Sequence, residues 1–315
     1  MKHAQADRGG LPGWKTLLRG RRLVIGVPYF WLLAFFLLPF LIVLRISFAE
    51  MDGATISSLF AYTDQELVVR LKLLNYATIF QDNLYLATYG RSLMYAGITT
   101  LICLVIGYPF AYFMARASTA LQPLLLMAVM LPFWTSFLLR VYAWKGLLDA
   151  QTGWVGRLLI HLRVDQLLYP LGLIPAPGEF MYSPFSLVLG MVYTYLPFML
   201  LPLYATLSKL DLQLLEAAQD LGATPWQAFW RITVPLSRSG IIAGAMLVFI
   251  PCVGEYVIPE LLGGPETLMI GRVLWDEFFS NNDWPLASGV AVVMVLLIIV
   301  PLAIFNNSQA KVARS

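Results

Sequence analysis

Six long apolar runs, near residues 24–48, 89–116, 121–148, 183–208, 239–262 and 286–306, constrain this chain more than any other feature of its sequence. Crossing about 30 Å of hydrocarbon takes roughly 20 helical residues at 1.5 Å rise each, and every run is near that length or longer. The expected class is all-α: a polytopic membrane protein with six transmembrane helices. Composition agrees, with 59% hydrophobic and 12% charged residues, where a soluble domain carries about 45–50% and 25%. The second and third runs are joined only by a turn around Ser118 and Thr119, which predicts an antiparallel hairpin.

Orientation follows from the basic residues flanking the runs. Residues 1–22 hold six of them (Lys2, Arg8, Lys15, Arg19, Arg21 and Arg22), so both termini are expected in the cytoplasm. On that arrangement the N-terminal tail, the turn at Arg116, the segment 209–238 and the tail from 307 together carry twelve Lys/Arg against four Asp/Glu. The remainder carries nine against fourteen. The expected organisation is a cytoplasmic tail (1–23), a transmembrane domain (24–306) and a second cytoplasmic tail (307–315). The run after Arg22 exceeds the 7–15 apolar residues of a secretory signal and is expected to stay as an anchor. Arg45, Arg91, Arg140 and Lys145 lie near the outer ends of their runs, where long side chains snorkel to the interface. Of the outer segments, 49–88, 149–182 and 263–285, the second holds Pro170, Gly172, Pro175, Pro177 and Gly178 and reads as an irregular loop.

Several function classes find no support. Basic residues are neither clustered nor interleaved with exposed aromatics, which argues against nucleic acid as a partner. The two histidines, His3 and His161, exclude an HExxH site and leave no metal ligand set. In "GGLPGWKT" (Gly9 to Thr16), Trp14 separates Gly13 from Lys15, so the phosphate loop GxxxxGK[ST] is not met and no cofactor is expected. Cys103 and Cys252 both fall in apolar runs and are expected to be buried filler. A catalytic constellation is lacking, and the chain reads as a non-enzyme.

One polar-headed, aromatic-tailed stretch interrupts the apolar sequence: "EAAQDLGATPWQAFWRITVP", Glu216 to Pro235. Counting four crossings puts it in the cytoplasm. Asp211 is a plausible N-cap for a first helix, and Gly222 supplies the left-handed residue that commonly ends one. Thr224, Pro225 and Gln227 make a capping box for a second helix, whose Trp226, Phe229 and Trp230 recur at helical spacing before Pro235 closes it. The expected product is a bent pair of short helices, docking either on lipid headgroups or on another protein.

The spacing Glu216-Ala217-Ala218, Gly222, Ile232 and Val234-Pro235 resembles the EAA loop of type I ATP-binding-cassette importer permeases, with Val234 where that family often has Leu. Nearly the full length, including "LPFWTSFLLRVYAW" (Leu131 to Trp144) and "VGEYVIPELLGGP" (Val253 to Pro265), is similar to bacterial polyamine permeases, and looks nearest to those of putrescine systems. The resemblance implies a MetI-like fold in the inner membrane and a loop that couples to an ATPase through Glu216, Ala217, Ala218, Gly222, Pro225 and Trp226. It also implies partners: a second, homologous permease forming a heterodimer, two copies of a cytoplasmic ATPase and a periplasmic polyamine-binding protein.

A route for a cation is sought in the fifth run, where Pro251 and Pro259 break the backbone ladder, and broken helices occur at depth only when buried in protein or lining a cavity. Glu255 falls in its outer half and Glu260 near its mouth. Together they would attract a diamine, with Tyr256, Tyr193, Tyr195, Phe133 and Trp134 offering ring faces to ammonium groups. Two other readings stand beside this one. Glu255 would also serve as acceptor for backbone freed by the prolines, and the aromatics as packing or interfacial anchors. An ion-coupled secondary transporter is the rival class, with Glu255 as its coupling residue but no evident inverted repeat.

Overall fold

The computed structural model describes residues 14–312 apart from 54, 58, 59, 64, 65 and 70. Of the residues named above, Lys2, His3, Arg8 and 9–13 lie outside the described residues, as does the end of the C-terminal tail, 313–315. The first apolar run is helical throughout, as α1 (Trp14–Leu32), a π turn at Leu33–Leu37 and α2 (Leu38–Ser47). Proline explains the widened turn. Pro39 lacks an N–H and its ring crowds the carbonyl four residues back, and the extra residue in the turn gives it room. Two hairpins follow, β1 (Met51–Asp52) with β2 (Thr55–Ile56) and β3 (Phe60–Thr63) with β4 (Glu66–Val69), then α3 (Leu74–Gln81).

Three α-helices come next. The helix α4 (Asn83–Arg116) begins where Asp82 accepts a hydrogen bond from the Leu84 N–H at 2.8 Å, six residues before the predicted start. After the turn at Ser118–Thr119 come α5 (Leu121–Met130), a 3₁₀ turn at Leu131–Trp134 and α6 (Phe137–Leu148). These do not form one straight span. The two halves meet at 89°, because Thr135 and Ser136 are extended where Pro132 has already disturbed the helical ladder. The outer segment 149–182 is also more ordered than its Pro and Gly content predicts, with α7 (Trp154–His161) and α8 (Val164–Leu168) ahead of an irregular stretch that holds all five of those residues.

The fourth run is α9 (Pro184–Leu207), opened by a capping box between Ser183 and Ser186. Next lie α10 (Gln213–Asp220), α11 (Pro225–Ala228), a π turn at Phe229–Thr233, α12 (Val234–Leu236) and α13 (Arg238–Val253). Pro235 does not close this element, as the sequence leads one to expect. It follows the π turn at the same spacing as Pro39 follows its own, and the helix continues to Leu236 before bending 63° into α13. A break at Gly254–Tyr256 separates α13 from α14 (Val257–Leu262). The chain ends with α15 (Ile270–Trp275), a π turn at Asp276–Ser280 and α16 (Trp284–Val312).

Among the described residues, three helices are long and apolar enough to cross a membrane in one piece, Leu23–Ser47, Asn83–Arg116 and Pro184–Leu207, and the two bent pairs bring the number to five. The apolar stretch Trp284–Val300 opens α16. The core forms where α4, α9 and α13 pack together. Small residues permit the close approach. A Cβ added at Gly240 would stand 2.6 Å from Thr206 Oγ1 and 2.8 Å from the Pro202 carbonyl, and one at Gly244 would stand 2.7 Å from Met199 Sδ. The GxxxG pair therefore sets the α13–α9 distance, as small residues do between membrane helices. Cys103 and Cys252 are both buried and both free, as expected of filler.

Gly244→Leu is expected to lower the melting temperature of the detergent-purified protein, because overpacking a filled contact costs about 1–3 kcal/mol. Gly90→Leu, at a site with nothing within 4 Å of the added carbon, is the control that leaves it unchanged. Scanning fluorimetry of both variants checks the difference.

Candidate coupling elbow and cation path

The segment from Gln213 to Leu236 folds as an elbow, and its local sequence dictates the bend. Asp211 accepts from the Gln213 N–H at 3.0 Å, as a cap would, although the N-cap position of α10 is Leu212. At the other end the Ala223 N–H reaches the Ala218 carbonyl at 2.9 Å and the Gly222 N–H reaches the Gln219 carbonyl at 2.8 Å. This pair of bonds is the Schellman motif, and Gly222 takes the left-handed conformation it requires, with φ of +85°. Immediately afterwards Thr224 Oγ1 accepts from the Gln227 N–H at 3.3 Å while Gln227 Oε1 accepts from the Thr224 N–H at 3.0 Å. The predicted capping box is present in both directions, with Pro225 in the first helical position.

Little of this elbow is covered by the rest of the chain. Glu216, Ala217, Gly222 and Pro225 are exposed, and Ala218 is half-buried. The apolar side chains of Leu221 (89% exposed), Trp226 (68%), Leu212, Leu214 and Trp230 are also uncovered. An uncovered apolar face of this kind marks a surface that meets another body.

The predicted path residues fall into separate groups. Glu255, buried in the break between α13 and α14, has both carboxylate oxygens engaged. Oε2 accepts a short hydrogen bond from the Tyr195 hydroxyl, and Oε1 accepts from the backbone N–H groups of Tyr256 (3.2 Å), Val257 (3.1 Å) and Ile258 (3.4 Å). Those amides open α14 and have no partner inside the helix, so the carboxylate serves as their acceptor. Tyr195 is linked through Phe198 to Phe133, with ring centroids 6.1 and 5.3 Å apart. The Phe133 face already carries a cation: the Arg140 guanidinium stands 5.1 Å from its centroid, and Arg140 Nε is buried without a hydrogen-bond partner.

Glu260 and Tyr256 belong to a second group. Glu260 forms an ion pair with Arg272, which also lies 3.6 Å from Asp276, and Tyr256 stacks on Trp275 at 4.5 Å. Tyr193 joins neither. Two residues from Tyr195 on α9, it points elsewhere and packs edge-on against Trp144 at 5.4 Å. Trp134 is 78% exposed, as an interfacial anchor would be.

The family model described as "Binding-protein-dependent transport system inner membrane component" matches residues 103–314. This chain belongs to that family. Among its relatives, the spermidine/putrescine transport system permease protein PotB of Haemophilus influenzae is 39% identical over 284 residues, covering 89% of this chain and 92% of that one. The PotB of Escherichia coli K12 is 37% identical over 275 residues, covering 87% and 92%. The fold recurs in a bacterial ABC transporter involved in the import of the acidic polysaccharide alginate, with a TM-score of 0.61 at 18% identity over 95% of this chain and 98% of that one.

For an inner-membrane component of this family, the elbow is the part whose sequence signals translate most directly into geometry. Around Glu260 and Tyr256, sequence reasoning missed Arg272, Asp276 and Trp275, which lie between the recognised runs. Their signal was present in two forms, an arginine and an aspartate four residues apart and an aromatic set at Trp275, Phe278 and Phe279. Among the described residues, no three His, Cys, Asp or Glu side chains gather as a metal site would require.

Proposed function

We propose that this chain is a permease subunit of an ATP-driven polyamine importer, with putrescine among its substrates, and that it forms half of the translocation route. It pairs with a second, similar permease, receives its substrate from a periplasmic binding protein and docks two copies of a cytoplasmic ATPase, one of them on its own elbow. The observation that carries this reading is the elbow itself. Its bend is fixed by the Schellman turn at Gly222 and the capping box at Thr224, and it holds out an uncovered apolar face led by Leu221 and Trp226. The spermidine/putrescine systems of the PotB relatives support the substrate class. A chain with no phosphate-loop motif needs its nucleotide-driven motor from another polypeptide.

Affinity purification from membranes in mild detergent is expected to bring down an ATPase subunit and a second permease. Proteoliposomes of that complex, supplied with binding protein and internal ATP, are expected to accumulate labelled putrescine. Uptake that survives removal of ATP and collapses with the ion gradient would overturn the reading in favour of a secondary carrier.

A further inference from the structure

A bend weakens any push transmitted along a helix, and the elbow meets α13 at 63°. Movement of α11–α12 would be absorbed at this junction unless something braces it. Ser237 sits at the corner, fully buried between Leu236 and Arg238. Its hydroxyl donates to the Val234 carbonyl at 3.0 Å and is 2.8 Å from the Tyr108 hydroxyl of α4, which is therefore left as the donor between the two. Eight residues earlier, at the start of the π turn, Phe229 is held by the same helix. Its ring lies edge-on to Tyr108 (5.6 Å) and to Tyr112 (5.8 Å), one turn apart on α4. On its other side Phe229 stacks with Trp226 at 5.9 Å and meets Trp230 at 5.3 Å. The exposed tryptophans are thus joined to α4 through a single buried-side ring.

The other end of α4 is tied down as well. Tyr85 donates to Glu277 Oε1 at 2.8 Å, Tyr89 donates to the Val290 carbonyl at 2.7 Å, and Ser92 Oγ accepts from the Ile270 N–H at 2.8 Å. These contacts reach α15, the π turn after it and α16, beside the Glu260–Arg272–Asp276 group. With 34 residues, α4 is about 50 Å long and spans from the elbow to that opposite end.

We propose that Tyr108, Phe229 and Ser237 are positioning residues that latch the elbow to α4, so that α4, and not only the covalently continuous α13, carries the elbow's movement across the molecule. This inference rests on the coupling reading above. It differs from simple packing in what it predicts. Loss of the latch spares docking of the ATPase and its turnover, but wastes that turnover.

The test uses the full complex in proteoliposomes with binding protein and reads ATP hydrolysed per labelled putrescine imported. In Tyr108→Phe and in Ser237→Ala, ATPase co-purification is expected to stay at the wild-type level, while the ATP cost per imported molecule rises about fivefold, in keeping with loss of one buried hydrogen bond. The double variant is expected to be no worse than Ser237→Ala alone, which already removes the bond lost in Tyr108→Phe, and Ser237→Thr, which keeps the hydroxyl, is expected to hold the wild-type ratio. Phe229→Leu, which keeps an apolar side chain but no ring, is expected to raise the ratio with docking retained. An unchanged ratio in Tyr108→Phe and Phe229→Leu, with the wild type coupled, would overturn the latch and leave the coupling reading standing. A wild-type chain that binds no ATPase would overturn both.

Discussion

Gly222→Val is expected to sharply reduce the ATPase recovered with the purified chain, or to leave ATP turnover in the complex independent of transport. The cause lies in the backbone alone. Nothing stands within 4 Å of an added Cβ at this position, so there is no clash to relieve by repacking. The φ of +85° is the obstacle, because a left-handed residue with a Cβ costs about 1–2 kcal/mol and a β-branched one more. An equilibrium between bent and unbent elbows would then shift by tenfold or more. Gly222→Asn is the companion variant. Asparagine tolerates this conformation, so it is expected to keep most of the coupling. Full coupling in Gly222→Val, by co-purification and by stimulation of ATP hydrolysis with loaded binding protein, would show that the bend is not what the partner reads.

The second large effect is expected at Glu255, where two substitutions separate two roles. Glu255→Ala removes the acceptor for three backbone amides and for the Tyr195 hydroxyl. Each buried group left unsatisfied costs about 1–3 kcal/mol, so the variant is expected to melt at markedly lower temperature and to assemble poorly. Glu255→Gln keeps one oxygen for the amides, loses the charge, and puts an NH2 donor where Oε2 accepted from Tyr195, whose hydroxyl can turn to accept. It is expected to assemble normally while uptake of labelled putrescine falls about tenfold, the effect of losing roughly 1.5 kcal/mol of charge-assisted hydrogen bonding. Normal uptake with normal assembly would limit this carboxylate to capping α14.

Legibility of the sequence varied with the range of the forces involved. The elbow was readable because capping is local: Thr224, Pro225, Gln227 and Gly222 act on backbone groups a few residues away, and the predicted bonds are present at the predicted positions. Pro235 was misread because its effect depends on the turn before it. A proline ends a regular helix, but a widened turn makes room for it, and no residue within Phe229–Thr233 announces a π turn. The 89° bend at Thr135–Ser136 was hidden for a similar reason, since apolar residues dominate the run 121–148 on both sides of it and hydropathy is blind to direction. For the proposed path, the sequence grouped Glu255 and Glu260 with Tyr256, Tyr193, Tyr195, Phe133 and Trp134, and of these only Glu255, Tyr195 and Phe133 lie along one line of contacts, through Phe198. It had no means of separating Tyr193 from Tyr195, or of finding that Arg140 already covers Phe133, because those facts depend on which way neighbouring helices turn.

The π turn at Phe229–Thr233 has a consequence for how freely the chain length can drift. An α-helix advances about 100° per residue around its axis, and a π turn holds one residue more than an α turn over the same rise. Deleting one residue between Phe229 and Thr233 would close the π turn to an α turn and leave Trp226 facing nearly the same way, whereas one added residue would swing Trp226 and everything before it by roughly 100°. Substitutions along the outer surface of this stretch are cheap by comparison, since Trp230 and Arg231 are exposed. The spacing between the elbow and α13 is thus an angular setting, which permits changes of side chain and loss of the extra residue but not a further insertion.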